Sequence, residues 1–552
     1  MDSNVLDDTR QKIINLASER DRNLHVLPIV AGWENAQKAV AAIPSALPEK
    51  GFGPVKAIDA ILQDVVPGLA LGQAGPRYFG FITGGTLPSA QLADFITTIY
   101  DQNAAPNRTE ESITAVIENR TLEFVLDLLR IPKDKFPARV VTSGATASNV
   151  MGMAVARDYA IQQTLKTNAN SPYSVSEYGF GGVVVKVYTD RPHSSLLKAA
   201  AITGIGRSNV IDLGKPIKRE GDDNADSGTF GIDLAELEKY LKEAAESSAT
   251  SGVRTAAIVV LSFGEVNTGD FTPNVREIRE LCDKYNVWLH IDAAFGAYAR
   301  LVPDVVGNVA DGLELADSIT SDAHKWFNVP YDCGLFFTRS VEHQRTVFGP
   351  SLVGGVPAYL AKDPSTSGVA ISSEMRAALA LPDPFYLTIE NSRRFRALPL
   401  YAALLDQGRE GYAELIRRNI LFARRVAEWM TSPAGKGYYE VLNLREPLVR
   451  NASSSSNSPT TPLNIVFFRA AEANPVKAYQ GPHGGAALIK AINGTNKMQV
   501  TPGPIGGVRL AVSNWSTGLY TEKATDGTEK GDFEIVVETL LKVVEDPPEL
   551  VA

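Results

Sequence analysis

The chain has 552 residues, 44% hydrophobic and 21% charged, with a formal net charge of -9 and a pI near 5.4. That length exceeds what one hydrophobic core usually organises, so two or more structural units are expected. Mixed charge without a basic block disfavours nucleic acid and an anionic membrane as partners and leaves a small molecule.

The opening stretch MDSNVLDDTRQK has acidic residues where a secretory signal carries basic ones, and no apolar run approaches membrane-spanning length. A soluble, cytoplasmic protein is the expectation. Two cysteines, Cys282 and Cys333, exclude a disulfide framework and a CxxC metal pattern, and are expected as buried thiols.

Residues 1–110 mix helical runs with Pro and Gly and include the aromatic-rich PRYFGFITGGTLPSAQLADF at 76–95; we read them as an N-terminal segment. From 111 to 384, short apolar runs alternate with helical patterns: RVVTSGATASN, GGVVVKVYTD, NVIDLG, TAAIVVLSFGE, VWLHIDAAFG and DSITSDAHKW. Strands separated by helices predict parallel βαβ units and an α/β sheet covered on both faces. Residues 385–552 turn to long helices and then to the strands YEVLNL, LNIVFFR and VRLAVSNW, a smaller C-terminal α+β domain. Within it, the polar run NASSSSNSPTTP (451–462) is expected as a surface loop between two strands.

One unit can be read residue by residue. AAIVVLS (256–262) suits a buried strand, and Thr272 with Pro273 supplies an N-cap and a first-turn proline. Val275, Ile278, Leu281 and Cys282 then recur at helical spacing, and Asn286 offers a stop before the strand VWLHID. That arrangement delivers Asp292 to the C-terminal end of a strand, where open α/β sheets bind ligands.

Four stretches share one chemistry. TSGATASN (142–149) closes a strand and opens a helix; Gly144 permits a tight turn, and the N–H groups of Ala145 and Thr146 would face an anion such as phosphate. HIDAAFGA (290–297) puts Asp292 at a strand end before small residues, where its carboxylate suits a pyridinium nitrogen, or a helix cap. His290 and Asp292 also form an H-x-D pair, but no third ligand lies at a convincing spacing, so no metal site is expected. RPHSSLLKAA (191–200) sets His193 between a strand and a helix, where an imidazole could stack on a planar cofactor. SITSDAHKWFNVP (318–330) sets Lys325 beside Trp326 and Phe327, which argues for an enclosed amine able to form an imine with a carbonyl.

Together, HIDAAFG followed by DAHKW makes the chain resemble the group II pyridoxal-phosphate (PLP) amino-acid decarboxylases. These are fold type I enzymes of the aspartate-aminotransferase superfamily, acting on aromatic L-amino acids, histidine, tyrosine or glutamate. The likeness runs from PRYFGFITGG to VRLAVSNWST. It implies a mostly parallel central sheet, and decarboxylation of an L-amino acid, aromatic by the presence of Tyr78, Phe79 and Phe81 in the segment that lines the family's substrate pocket. It further implies that Lys325 carries PLP as a Schiff base, that Asp292 holds the ring nitrogen, and that Ala294 packs on the ring face opposite His193. His324 with the turn Ala145-Thr146 would contact the phosphate.

In the family, a mobile loop supplies a tyrosine that protonates the carbanion left by decarboxylation, and AYLAKDP (358–364) puts Tyr359 at that position, with His193 as the other proton donor. Relatives with phenylalanine there make aldehydes, so Tyr359 favours the amine product. Where many members have Gly-Thr-Thr, this chain has Gly264-Glu265-Val266-Asn267-Thr268, so a cofactor-oxygen contact is remade by Asn267 or Thr268, or lost. ENSRRFRALPLYAAL (390–404) matches the segment after the mobile loop, with Arg394 in the recurring arginine position. The resemblance also implies a homodimer. Aldehyde synthesis or carbon–carbon lysis on the same cofactor, and a catalytically silent binding relative, are the alternatives.

Overall fold

The computed structural model describes residues 3–165, 173–216, 230–250, 252–350, 371–446, 458–523 and 527–548. Backbone packing gathers the chain into two units. One comprises Met1–Gly85, Arg418–Asn443 and Asn464–Ala552, the other Thr86–Arg417 and Leu444–Leu463. The positions 110 and 384, expected as boundaries, both lie inside the second unit.

That second unit is built on a seven-stranded sheet. Its strands are β1 (Ala138–Thr142), β2 (Val183–Thr189), β3 (Val210–Asp212), β4 (Arg254–Ser262), β5 (Trp288–Asp292), β6 (Ser318–Asp322) and β7 (Gly334–Thr338). They lie in the order β1-β7-β6-β5-β4-β2-β3. Neighbours from β6 through β5, β4 and β2 to β3 are parallel, and β7 alone runs antiparallel to β1 and β6. The sheet is therefore mostly parallel, as expected; β7, from the run GLFFT, is the strand that the sequence reading did not separate from its neighbours.

β4 shows why such a sheet is apolar throughout: Ala256 to Leu261 are buried in unbroken succession, because helices leave neither face in water. Helix α1 (Ala145–Leu165) packs against β4, β5, β6 and β7. Its Met153, Val155 and Ile161 join Val185, Val187, Ile258, Val260 and Trp288 in one core cluster. Helix α2 (Ser194–Ile202) adds Leu196 and Ala199 to it.

Helix α3 (Val275–Tyr285) corrects one local expectation. Its N-cap is Asn274 in a left-handed conformation (φ 58°), without a side-chain cap, so Thr272 and Pro273 do not open it. Thr272 Oγ1 instead donates to the buried Asp190 carboxylate at 2.8 Å. Asn286 ends the helix as expected, at φ 54°. Both cysteines are free and buried, and burial pushes the Cys282 thiol up to about 12.

The other unit holds a four-stranded antiparallel sheet of β8 (Tyr439–Val441), β9 (Ile465–Ala470), β10 (Thr501–Pro502) and β11 (Val508–Ala511), in the order β8-β9-β11-β10. Among the described residues, no helix is long and apolar enough to cross a membrane.

Candidate active site

Strand register gathers the polar residues. Ser262, Asp292 and Thr320 are paired neighbours across β4, β5 and β6, so these strands finish at one level. In parallel strands this is the C-terminal edge, where helix N-termini follow and ligands bind.

Lys325 lies in the short helix Ala323–Trp326 directly after β6 and is half-buried. Its enclosure differs from what DAHKW suggests. Trp326 and Phe327 are fully buried and pack on Tyr298, with Phe327 also against Tyr412 at 4.9 Å; neither lines the amine. Lys325 Nζ instead sits 5.9 Å from the centre of the Phe295 ring and 3.1 Å from Asp322 Oδ2. Asp322 was not among the candidates from sequence. It is the hub here: Oδ1 accepts from the Ala145 N–H at 2.6 Å and lies 3.6 Å from His324 Nε2.

The anion at the start of α1 is thus a carboxylate of this chain, held by Ala145, while Thr146 is exposed. At Gly144 an added Cβ would lie 3.3 Å from His324 Cε1, a tight contact that glycine avoids. His324 Nδ1 accepts from the Cys333 N–H at 3.3 Å, and its ring lies 4.5 Å from that of the exposed Tyr331. Burial, and secondarily the charge of Lys325, holds the His324 pKa below the ordinary imidazole value against the opposing pull of Asp322.

Asp292 ends β5 half-buried and is clamped from two sides. Ala294 N–H donates to Oδ1 at 3.2 Å and Asn149 Nδ2 donates to Oδ2 at 2.7 Å. Asn149 is fully buried on α1 and also donates to Ser195 Oγ at 3.1 Å, while its Oδ1 lies 3.0 Å from His290 Nε2. His290 belongs to the core: burial lowers its pKa to about 3. His193 is exposed and is the N-cap of α2, accepting from Ser195 N–H, with Nδ1 2.7 Å from Ser195 Oγ.

Two groups therefore form, Lys325–Asp322–Ala145 with His324, and Asp292–Asn149–Ser195–His193. Ala145 and Asn149 on the first turns of α1 belong one to each. Among the described residues, the sequence reading missed Asp322, Asn149 and Ser195, although all three stand inside the quoted motifs.

Other candidates fall elsewhere. Tyr78 and Phe79 are buried in their own unit, Phe79 lying 6.0 Å from Phe422, whereas Phe81 is exposed. Tyr359 lies outside the described residues. Asn267 and Thr268 both turn inward: Asn267 Nδ2 and Thr268 Oγ1 donate to the Glu265 carboxylate at 2.7 and 2.9 Å, which closes that loop on itself. Arg394 pairs with Asp94 at 2.6 Å, while Arg393 is buried against Glu118.

Comparison with known proteins identifies the family. The family model described as the pyridoxal-dependent decarboxylase conserved domain matches residues 37–434. The L-2,4-diaminobutyrate decarboxylase of Acinetobacter baumannii is 28% identical over 302 residues, 54% of this chain and 52% of that protein, so the match spans about half of that relative. The aromatic-L-amino-acid decarboxylase of Cavia porcellus is 25% identical over 476 residues, 83% of this chain and 82% of its own. The crystal structure of Oryza sativa TDC with PLP and tryptamine shares the fold, with a TM-score of 0.73 at 18% identity over 99% of both chains. The chain belongs to the pyridoxal-dependent decarboxylase family, the carboxy-lyases whose cofactor is pyridoxal phosphate.

Proposed function

We propose that this chain decarboxylates an L-amino acid with an aromatic side chain and releases the amine. The observation that carries the reading is the pairing of an enclosed amine, Lys325, with a clamped carboxylate, Asp292, at the same edge of adjacent parallel strands. The residues present fit the cofactor: a Schiff-base amine, an acceptor-only carboxylate, small residues after it, and an exposed imidazole.

Lys325 would hold the cofactor through its amine, Asp292 its ring nitrogen, Ala294 and His193 its two faces, and Thr146 with His324 its phosphate. Ala145 would join them once its N–H leaves Asp322. When bound, the cofactor supplies an electron sink for the bond that breaks at Cα. Asp292 would keep a proton on the ring nitrogen, because a fixed anion favours the charged form of its partner. His193 or Tyr359 would deliver the proton to Cα.

The aromatic class rests on the aromatic-L-amino-acid and tyrosine decarboxylases among the relatives. A homodimer is supported by Leu92, Phe95, Ile96, Ile99 and Tyr100, all exposed and three or four residues apart on one helix (Pro88–Tyr100). Cell fractionation tests the cytoplasmic location.

The test of function is mass spectrometry of products after PLP-loaded protein meets a panel of L-amino acids under air. An amine lighter than its parent by one carbon dioxide supports the reading and names the side-chain class. Aldehyde with ammonia and peroxide would make it an aldehyde synthase, and no turnover would leave a binding relative. Lys325→Ala is expected to abolish turnover; full activity in that variant would sink the proposal.

A further inference from the structure

The hydrogen bonds behind Asp292 have a direction, and the acceptor-only carboxylate fixes it. At one end Trp288 Nε1–H, which can only donate, meets Ser318 Oγ at 2.9 Å. Ser318 Oγ lies 2.8 Å from His290 Nδ1, where its two lone pairs and one proton let it accept or donate. His290 Nε2 lies 3.0 Å from Asn149 Oδ1 and 3.4 Å from Thr320 Oγ1.

At the other end the Asp292 carboxylate can only accept. Asn149 must therefore turn Nδ2 toward Asp292 Oδ2, at 2.7 Å, which leaves Oδ1 facing His290. An oxygen facing His290 calls for the proton on Nε2. The second Nδ2 hydrogen goes to Ser195 Oγ at 3.1 Å, and the Ser195 hydroxyl donates onward to His193 Nδ1 at 2.7 Å. The backbone N–H of Ser195 aims at the same ring nitrogen from 3.2 Å, which also requires Nδ1 to be an acceptor.

We propose that Asn149 is a positioning residue that ties the Asp292 carboxylate to the His193 imidazole and, through Ser195, helps hold His193 as the tautomer with its proton on Nε2. Trp288, Ser318, His290, Asn149 and Ser195 are all buried, so water does not compete for the bonds among them. The functional meaning rests on the reading above, in which Asp292 and His193 serve the cofactor. His193 then presents an N–H, not a lone pair, at Nε2.

The test uses the full chain labelled with ¹⁵N-histidine, with and without PLP, and solid-state NMR, which reports which ring nitrogen carries a proton. His193 and His290 are assigned by the signals that vanish in His193→Gln and His290→Gln. Both are expected to show the proton on Nε2; a proton on Nδ1 of either overturns the proposal. Asn149→Ala should shift the nitrogen signals of His193, which it does not touch, and weaken PLP binding about ten- to hundredfold. A residue with only a structural role would lower the melting temperature and leave His193 unmoved, and that result also overturns the proposal.

Should Asn149→Ala fail to fold, Ser195→Ala cuts the chain downstream. It is expected to move the His193 signals and leave those of His290 in place; movement of His290 would refute the direction. If the histidines behave as stated but Asp292→Asn binds PLP as tightly as the unmodified chain, the network stands and the reading of Asp292 as the cofactor's partner fails.

Discussion

His290 makes folding sensitive to acid. Burial alone lowers its pKa from 6.5 to about 3, so the folded protein keeps the ring neutral where the unfolded chain protonates it. Because the folded value lies below the unfolded one, the stability linked to the neutral ring is fully present above about pH 6.5. It is lost progressively as pH falls toward about 3. Each pH unit in that window is worth about 1.4 kcal/mol, so lowering the pH to about 5 costs about 2 kcal/mol at this one residue. His324 and His343 are shifted in the same direction by burial and add to this sensitivity, while the carboxyls of Asp158, Asp190 and Asp532, raised by burial, oppose it. The comparison that isolates His290 is with His290→Gln, whose carboxamide can still donate toward Asn149 but does not titrate. Urea unfolding followed by circular dichroism at about pH 7.5 and pH 5 should show the unmodified chain losing about 2 kcal/mol more than the variant. Equal losses would refute the assignment of a neutral, buried His290.

The packing that encloses this ring is tested at Gly152 on α1, where a Cβ would lie 2.6 Å from His290 Cε1. Gly152→Ala should cost about 1–3 kcal/mol in thermal unfolding, and an unchanged melting temperature would contradict that contact. Arg393 is fully buried with both Glu118 oxygens 3.0 Å from Nη1, so Arg393→Met strands a buried carboxylate and should cost about 3–5 kcal/mol. Most of that loss should return in the double variant Arg393→Met/Glu118→Leu, and a double variant no better than the single one would show the pair is not the cause. For the apolar stripe on Pro88–Tyr100, replacing both Phe95 and Ile99 with glutamate should convert a dimer to monomer in sedimentation velocity. A dimer that survives both charges must use another face.

Much of the candidate site's layout could be read from local sequence. Unbroken apolar runs such as AAIVVLS identify strands buried on both faces, and Asn286 before VWLHID marks where one helix stops and β5 begins. Since strand and helix lengths follow from such short-range patterns, the placing of Asp292 and Lys325 just at or after strand ends followed too. The alternation of strands with helices also carried the mostly parallel sheet.

What surrounds those residues was decided only by the tertiary fold. Ala145 meets Asp322 across 177 positions of sequence, and Asn149 meets Asp292 across 143. No local period encodes a contact between residues that far apart, so Asp322 read as an ordinary residue of DAHKW and Asn149 as part of a helix start. The same limit hid the direction of β7, whose insertion between β1 and β6 depends on which neighbours it pairs with. It also misdirected the inference from Trp326 and Phe327. Their aromatic character is legible in sequence, but they follow β6 in a turn of helix that points them at Tyr298 in the core, while Lys325 between His324 and Trp326 faces Asp322 and Phe295. Sequence determined which residues could do chemistry and which strand ends present them; the long-range packing of α1 across the sheet decided which carboxylate holds the amine and which amide holds the carboxylate.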